Sequence, residues 1–365
     1  MNVDERPLRR EEGGSVSGVF RNALPHALKL LVAVAVIVFL IDRGDIGWEA
    51  LRASFGQWRY SVPAFLLLAL TPLGQLWRWQ SLLRASRVLL PHREVLSYLM
   101  VSKFCNMALP GYVSGDIIRG FYVTRRASET VPGNLPEKEC PRTSPSVVVA
   151  SILFDRVAGL VPLFVVCLLG LVGSVWYPLP AHMAAAVGAV AGAGVLVPCL
   201  LFYMAYRSPE APALLRRISQ RLRLQQPLVS FYEGAHHYVR NLKLMRQILG
   251  ISFLNHCLAI ASFMLYGAAL AVPISWVSYL ILVPLGLVIT AIPVAPAGLG
   301  VGQVAFLALF HIVGTSQGAN LFTLFMASHI LINLGGAGLY FFTRFPLAEA
   351  GMADGRKGLG TRTSS

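Results

Sequence analysis

Six side chains that can carry or orient charge stand among residues that are otherwise apolar. Lys103, Asn106 and Asp116 fall within Val95 to Val123, with Arg119 one turn further on, and Asp155 and Arg156 fall within Val147 to Val175. A charge at the centre of a membrane helix costs roughly 2.5 to 3.5 kcal/mol, so Lys103, Asp116, Asp155 and Arg156 would together cost about 10 to 14 kcal/mol if unpaired. They must pair or line a wet cavity. Asp116 with Arg156 and Lys103 with Asp155 is one pairing that balances, and the sequence does not choose among the alternatives. Two roles fit: a site that handles a charged substrate, or a neutral network that ties helices together.

A second kind of chemistry comes from helix breaks. Leu109-Pro110-Gly111 interrupts one apolar block, and the run from Pro293 to Gly300, with Pro296 and Gly298 inside it, interrupts another. Proline removes a backbone donor and glycine loosens the helix, so each block reads as two half-helices. Ser114 can cap a half-helix opening at Gly115-Asp116, and another opens near Gly302-Gln303. Unpaired N–H groups and the positive dipole end at such starts favour an anion, phosphate above all. Two starts facing a cavity with Lys103 and Arg156 would hold a lipid phosphate. Small residues that let helices pack closely are the alternative, and Asp116 opposes an anion unless it is itself paired. Gly298, Gly300 and Gly302 are not a dinucleotide fingerprint, because no strand-turn-helix context surrounds them.

The elements that must position these groups are membrane helices. Of 365 residues, 55% are apolar and 13% charged, and no Asp, Glu, Lys or Arg occurs from Gln247 to Thr343, a run of 97 residues. A soluble surface needs roughly twice that charge. The net charge of +14 could suggest nucleic acid, but basic patches of that kind sit on soluble folds. Hydropathy gives eight blocks: Leu30 to Ile41, Ser61 to Trp77, Val95 to Val123, Val147 to Val175, Ala181 to Tyr206, Gln247 to Ala271, Trp276 to Val313, and Ala319 to Phe342. The first, after a mixed-charge leader, reads as an uncleaved span.

Charge bias sets the topology. With both broken blocks turning back as re-entrant hairpins, 26 of the 31 Lys and Arg fall on one side, the cytoplasmic one by the positive-inside rule, and three on the other. Two full crossings would preserve the bias, but the limbs of the third block, about 15 and a dozen residues, are short of the roughly 20 that a span needs. Each half then reads span, span, broken hairpin, span. The expected fold is an all-α polytopic membrane protein of six full spans and two re-entrant hairpins in an inverted repeat, the pattern of transporters with a midplane site. Residues 1–27 form a cytoplasmic leader, 28–175 the first repeat with an insertion at 127–146, 176–344 the second with a cytoplasmic loop at 207–246, and 345–365 a cytoplasmic tail.

Weaker signals remain. His256, His311 and His329 with Asn255 and Asn333 can form a proton relay or simply be polar residues at helix contacts. Ala184, Gly188 and Gly192 make a ladder suited to helix packing. Leu214, Leu215, Ile218 and Leu222 against Arg216, Arg217, Arg221 and Arg223 read as an amphipathic helix on the inner leaflet. The five cysteines share no metal-ligand or disulfide spacing, and neither a metal nor a cofactor is expected. The polar segments are too short for a soluble catalytic domain, and no serine-elbow, zinc-protease or Walker motif is present. An intramembrane transferase with Asp116 or Asp155 as base remains open, as does a scaffold for lipid-modifying enzymes.

Three places resemble the flippase-like membrane domain of lysylphosphatidylglycerol synthases and their stand-alone relatives. They are Asn106-Met-Ala-Leu-Pro110-Gly111-Tyr-Val-Ser-Gly115-Asp116-Ile-Ile-Arg119, then Asp155-Arg156-Val-Ala-Gly159-Leu160, and Pro293-Val-Ala-Pro296-Ala-Gly298-Leu-Gly300-Val-Gly-Gln303. The resemblance implies an inner-membrane mover of phospholipids or polyprenyl-phosphate-linked saccharides between leaflets. Asn106, Pro110, Gly111, Gly115, Asp116, Arg119 and Arg156 match the family pattern. Gln303 departs from it, since that position is often glutamate. The soluble aminoacyl-transferring domain of the synthases is absent, so lysyl transfer is not implied.

Overall fold

The computed structural model describes residues 48–108, 114–129, 145–177, 180–212, 217, 225–291 and 300–342. Among them there is no strand. In chain order the helices are α1 (Trp48–Gly56), α2 (Trp58–Ala85), α3 (His92–Ala108), α4 (Ser114–Glu129), α5 (Pro145–Gly173), α6 (Ala181–Arg207), α7 (Gln225–Val239), α8 (Leu242–Ala269), α9 (Trp276–Thr290), α10 (Val301–His311) and α11 (Gly318–Phe342). Sequence explains several boundaries. Asn241 starts α8 by accepting from the Leu244 N–H at 3.0 Å, and Ser275 starts α9 by accepting from the Ser278 N–H at 3.3 Å. Each satisfies a donor that the first helical turn leaves unpaired.

Five helices, α2, α5, α6, α8 and α11, are long and apolar enough to cross a membrane. At 1.5 Å per residue α2, α5, α6 and α8 run about 40 to 44 Å, beyond a hydrocarbon core of about 30 Å. The limbs beside the two breaks are shorter: α9 and α10 have 15 and 11 residues, about 22 and 16 Å. The expected first span, Leu30 to Ile41, lies outside the described residues, as do the leader, the tail, most of the 127–146 insertion, and the break residues 109–113 and 292–299. Of the stretch from Leu214 to Arg223 only Arg217 is described.

One boundary differs from expectation. Hydropathy ends the second block at Trp77, but α2 continues to Ala85, because Trp79, Leu82 and Leu83 are buried and carry the apolar face past the charges between them.

α2 packs along α8, α3 packs on α11, and α9 packs on α5. A stack of Phe263, Phe306, Phe322 and Phe325, with ring centroids 4.6 to 5.2 Å apart, fills the core between α8, α10 and α11. Trp79, Tyr98 and Tyr122 fill the core between α2, α3 and α4. α7 is tied across helix ends. His236 Nδ1 donates to the Ala205 carbonyl at 2.5 Å, His237 Nε2 donates to the Ala85 carbonyl at 2.8 Å, and the Tyr238 hydroxyl meets that of Ser86 at 2.6 Å.

Candidate functional site

A cavity of about 320 Å³ opens where α2, α3, α4, α5 and α11 converge. α2 contributes Gln75 and Arg78, α3 Lys103 and Asn106, α4 Asp116 and Arg119, α5 Asp155 and Arg156, and α11 His329 and Asn333. The size is within the usual range of ligand pockets, but the wall is far more polar than is usual.

The charges form a chain. Arg78 forks onto Asp155, with Nε 2.6 Å from Oδ1 and Nη2 3.1 Å from Oδ2, and its remaining nitrogen donates to Ser252 Oγ on α8 at 2.8 Å. Arg119 Nη2 lies 3.9 Å from the same carboxylate, while its Nε is 3.0 Å from Asp116 Oδ1. Asp116 also accepts from Arg156 Nε. The order is therefore Arg78, Asp155, Arg119, Asp116, Arg156, with each carboxylate between two guanidinium groups. Arg119 is 4% exposed and its guanidinium carbon sits 4.7 Å from the Trp79 ring centre, a cation–π contact that is stronger for being desolvated. Lys103 stands outside this chain and makes no ion pair within 4 Å among the described residues.

Local backbone packing explains why the helices can come so close. The Gly115 N–H donates to Asn106 Oδ1 at 2.8 Å, so the first turn of α4 is fastened to α3. A Cβ on Gly115 would lie 2.0 Å from the Ser102 carbonyl oxygen, a separation that no side chain can adopt. A Cβ on Gly159 would lie 3.0 Å from Arg78 Nη1; the missing side chain leaves a berth for that guanidinium beside Asp155. Gly300 has φ of 75°, a left-handed conformation suited to glycine, and its N–H donates to Gln303 Oε1 at 2.7 Å.

Depth follows from helix register. Arg78 is seven residues from the end of α2, and Asp155 and Ser252 are ten from the starts of α5 and α8, placing the cluster about 10 to 15 Å inside those ends. All three ends adjoin the basic loops, so the site lies nearer that side than the middle of the helices.

The structure brings together Lys103, Asn106, Asp116, Arg119, Asp155 and Arg156, and Gly115 sits directly behind them. Asp116 pairs with Arg156, but Asp155 takes Arg78 in place of Lys103. Gly300 and Gln303 do not line this cavity: they begin α10, where Gly300 borders a separate apolar groove with Val301 and Val304. The picture of two helix starts around one anion is therefore not what the described residues form. The Gly115 donor is occupied by Asn106, and the Gly300 donor by Gln303. Pro110, Gly111 and Gly298 lie outside the described residues. The five-residue proton relay is likewise divided. His256 Nε2 donates to the Gly159 carbonyl at 2.9 Å, Asn255 donates to the Thr71 carbonyl and His311 is exposed, leaving His329 and Asn333 at the cavity.

Sequence reasoning missed Arg78, Gln75 and Ser252. Arg78 and Arg119 are counted among loop cations by hydropathy, yet both belong to the cluster, Arg119 buried and Arg78 with its side chain 12% exposed. Removing them from the count leaves the charge bias intact. The signal that could have found Arg78 is a polar stripe at helical spacing, Thr71, Gln75 and Arg78, on one face of an otherwise apolar helix.

Among the described residues no three His, Cys, Asp or Glu side chains gather where they could hold a metal ion. No curated protein and no solved structure matches the chain. A family model does: the lysylphosphatidylglycerol synthase TM region matches residues 26–333, most of the chain. The five apolar spans agree with that match, and the chain belongs to the lysylphosphatidylglycerol synthase TM region family of multi-pass membrane proteins.

Proposed function

We propose that the protein moves a phosphate-bearing lipid between the leaflets of the inner membrane, binding its head group in the charged cavity. The observation that carries this reading is the cavity itself: an Arg- and Lys-lined chamber inside a bundle of apolar helices long enough to span a membrane, with Lys103 making no ion pair among the described residues. A phosphate would meet Lys103, Arg119 and the Asn106 amide, while Asp116 and Asp155 hold the guanidinium groups in place between ligands. Apolar helix surfaces around the bundle let the acyl or prenyl chains stay in the bilayer.

The wider architecture we infer is six spans and two re-entrant hairpins in an inverted repeat, with both termini in the cytoplasm. The packing order supports it. α3 rests on α11 as α9 rests on α5, and α2 meets its counterpart α8 along the centre; exchanging the two halves maps these contacts onto one another. We infer first contact with lipid on the cytoplasmic side, a reading supported by the offset of the cluster from the helix middles toward the basic ends. An intramembrane transferase is the weaker reading, because both carboxylates are already clasped by arginines and neither is placed to accept a proton from a substrate.

The test is leaflet exchange of head-group-labelled phospholipids and polyprenyl-phosphate lipids in vesicles holding the purified protein. Exchange that is lost in Asp116→Asn, with the variant folded, is the expected result. No exchange of any lipid by folded wild type would overturn the proposal, and a product of altered mass on adding a glycosyl or aminoacyl donor would replace it with the transferase.

A further inference from the structure

Charge bookkeeping in the cavity goes beyond "a phosphate". Four cations, Arg78, Lys103, Arg119 and Arg156, face two carboxylates, Asp116 and Asp155, among the described residues that line it, a surplus of two positive charges. The surplus is localised. Among the described residues Arg78 clasps Asp155 and Arg156 clasps Asp116. Arg119 shares both of its carboxylates with those neighbours, and Lys103 has none within 4 Å among the described residues. Arg119 and Lys103 therefore supply the charge that only a ligand can compensate, and they approach the same space from α4 and α3.

Surplus charge far from water is costly until it is matched. A phosphodiester head group such as phosphatidylglycerol carries one negative charge and leaves one cation unmatched. A terminal phosphate carries close to two at neutral pH, because its second ionisation lies near pH 6, and it offers three oxygens for the Arg fork, the ammonium and an amide. Resting on the lipid-moving function proposed above, we propose that the preferred ligand is a lipid ending in a phosphate monoester or diphosphate, and that Lys103 selects it over phosphodiester lipids.

The test is binding to the purified full chain in detergent micelles, with three probes: phosphatidic acid as terminal phosphate, phosphatidylglycerol as diester of matched acyl chains, and inorganic phosphate as the head group without a tail. Wild type is expected to bind phosphatidic acid at least tenfold more tightly than phosphatidylglycerol, and Lys103→Met to shrink that ratio to within about threefold while keeping its thermal unfolding temperature. Equal binding of the two lipids by wild type, or a ratio unchanged in Lys103→Met, would overturn the selectivity and leave the lipid-moving function standing. Inorganic phosphate binding as tightly as phosphatidic acid would overturn both, since the ligand would then be soluble. If Lys103→Met fails to fold, Lys103→Arg, which keeps the charge, is expected to preserve the ratio, and its loss there would likewise count against the proposal.

Discussion

Replacing Arg78 by Met removes the fork on Asp155 while keeping a side chain of similar length beside Gly159. Asp155 is 5% exposed and would retain only Arg119, 3.9 Å away, already engaged by Asp116. Stripping one partner from a buried pair costs about 3 to 5 kcal/mol, because the remaining charge stays desolvated without its counterion. Ser252 adds little to that sum, since its hydroxyl still donates to the Ile248 carbonyl at 2.8 Å. Removing both partners as Arg78→Met with Asp155→Leu leaves no orphaned charge, and such replacements are often neutral or stabilising. We therefore expect a single variant down by about 3 kcal/mol or more and a double variant within about 1 kcal/mol of wild type. Unfolding by SDS titration in mixed micelles, followed by helical circular dichroism, reads both. Lipid exchange measured on the same samples should stay lost in the double variant. A single variant costing under about 1 kcal/mol would refute the buried-pair energetics. A double variant that folds and exchanges lipid at the wild-type rate would show that these charges only hold the helices together.

Gly115→Ala places a Cβ 2.0 Å from the Ser102 carbonyl oxygen and should cost at least about 1 to 3 kcal/mol in the same unfolding assay, whereas Gly192→Ala, which meets nothing within 4 Å, should be neutral or stabilising by about 0.5 to 1 kcal/mol. Gln303→Glu keeps an oxygen for the Gly300 N–H at a helix start that favours negative charge, so stability should change by less than about 1 kcal/mol, while Gln303→Leu should lose about 1 kcal/mol. Single cysteines placed at Glu210 and Gln317 in a cysteine-free background should react with a membrane-impermeant maleimide from opposite faces of oriented vesicles, and labelling of both from one face would refute the topology.

The spans were legible because a bilayer demands long charge-free runs, and the run from Gln247 to Thr343 announces two of them and a broken block without ambiguity. The buried charges were legible for the same reason: Asp155 and Arg156 have no tolerable place in an apolar block unless they meet partners. Partner identity was not legible, because it depends on helix rotation. Arg78 follows Trp77 at what hydropathy takes for a boundary, and a cation there reads as one reaching for water. Only the packing of Trp79 and Leu82 against neighbouring helices turns it inward. The helix starts were half legible. Sequence located Gly115 and Gly300, but the side chains of Asn106 and Gln303, each within a few residues of its break or start, occupy the donors that an anion would have used.

The three ties made by α7 restrict how the molecule could change shape. His237 and Tyr238 lash it to the end of α2, in the first half, and His236 to the end of α6, in the second. A cycle in which the halves rocked as two rigid blocks would have to stretch or break this strap on every turnover. The economical motion therefore keeps a fixed frame of long helices and swings the short limbs within it, and for α4 that swing has to loosen the ion pairs that Asp116 and Arg119 make with α5, as a latch lifts from its keeper.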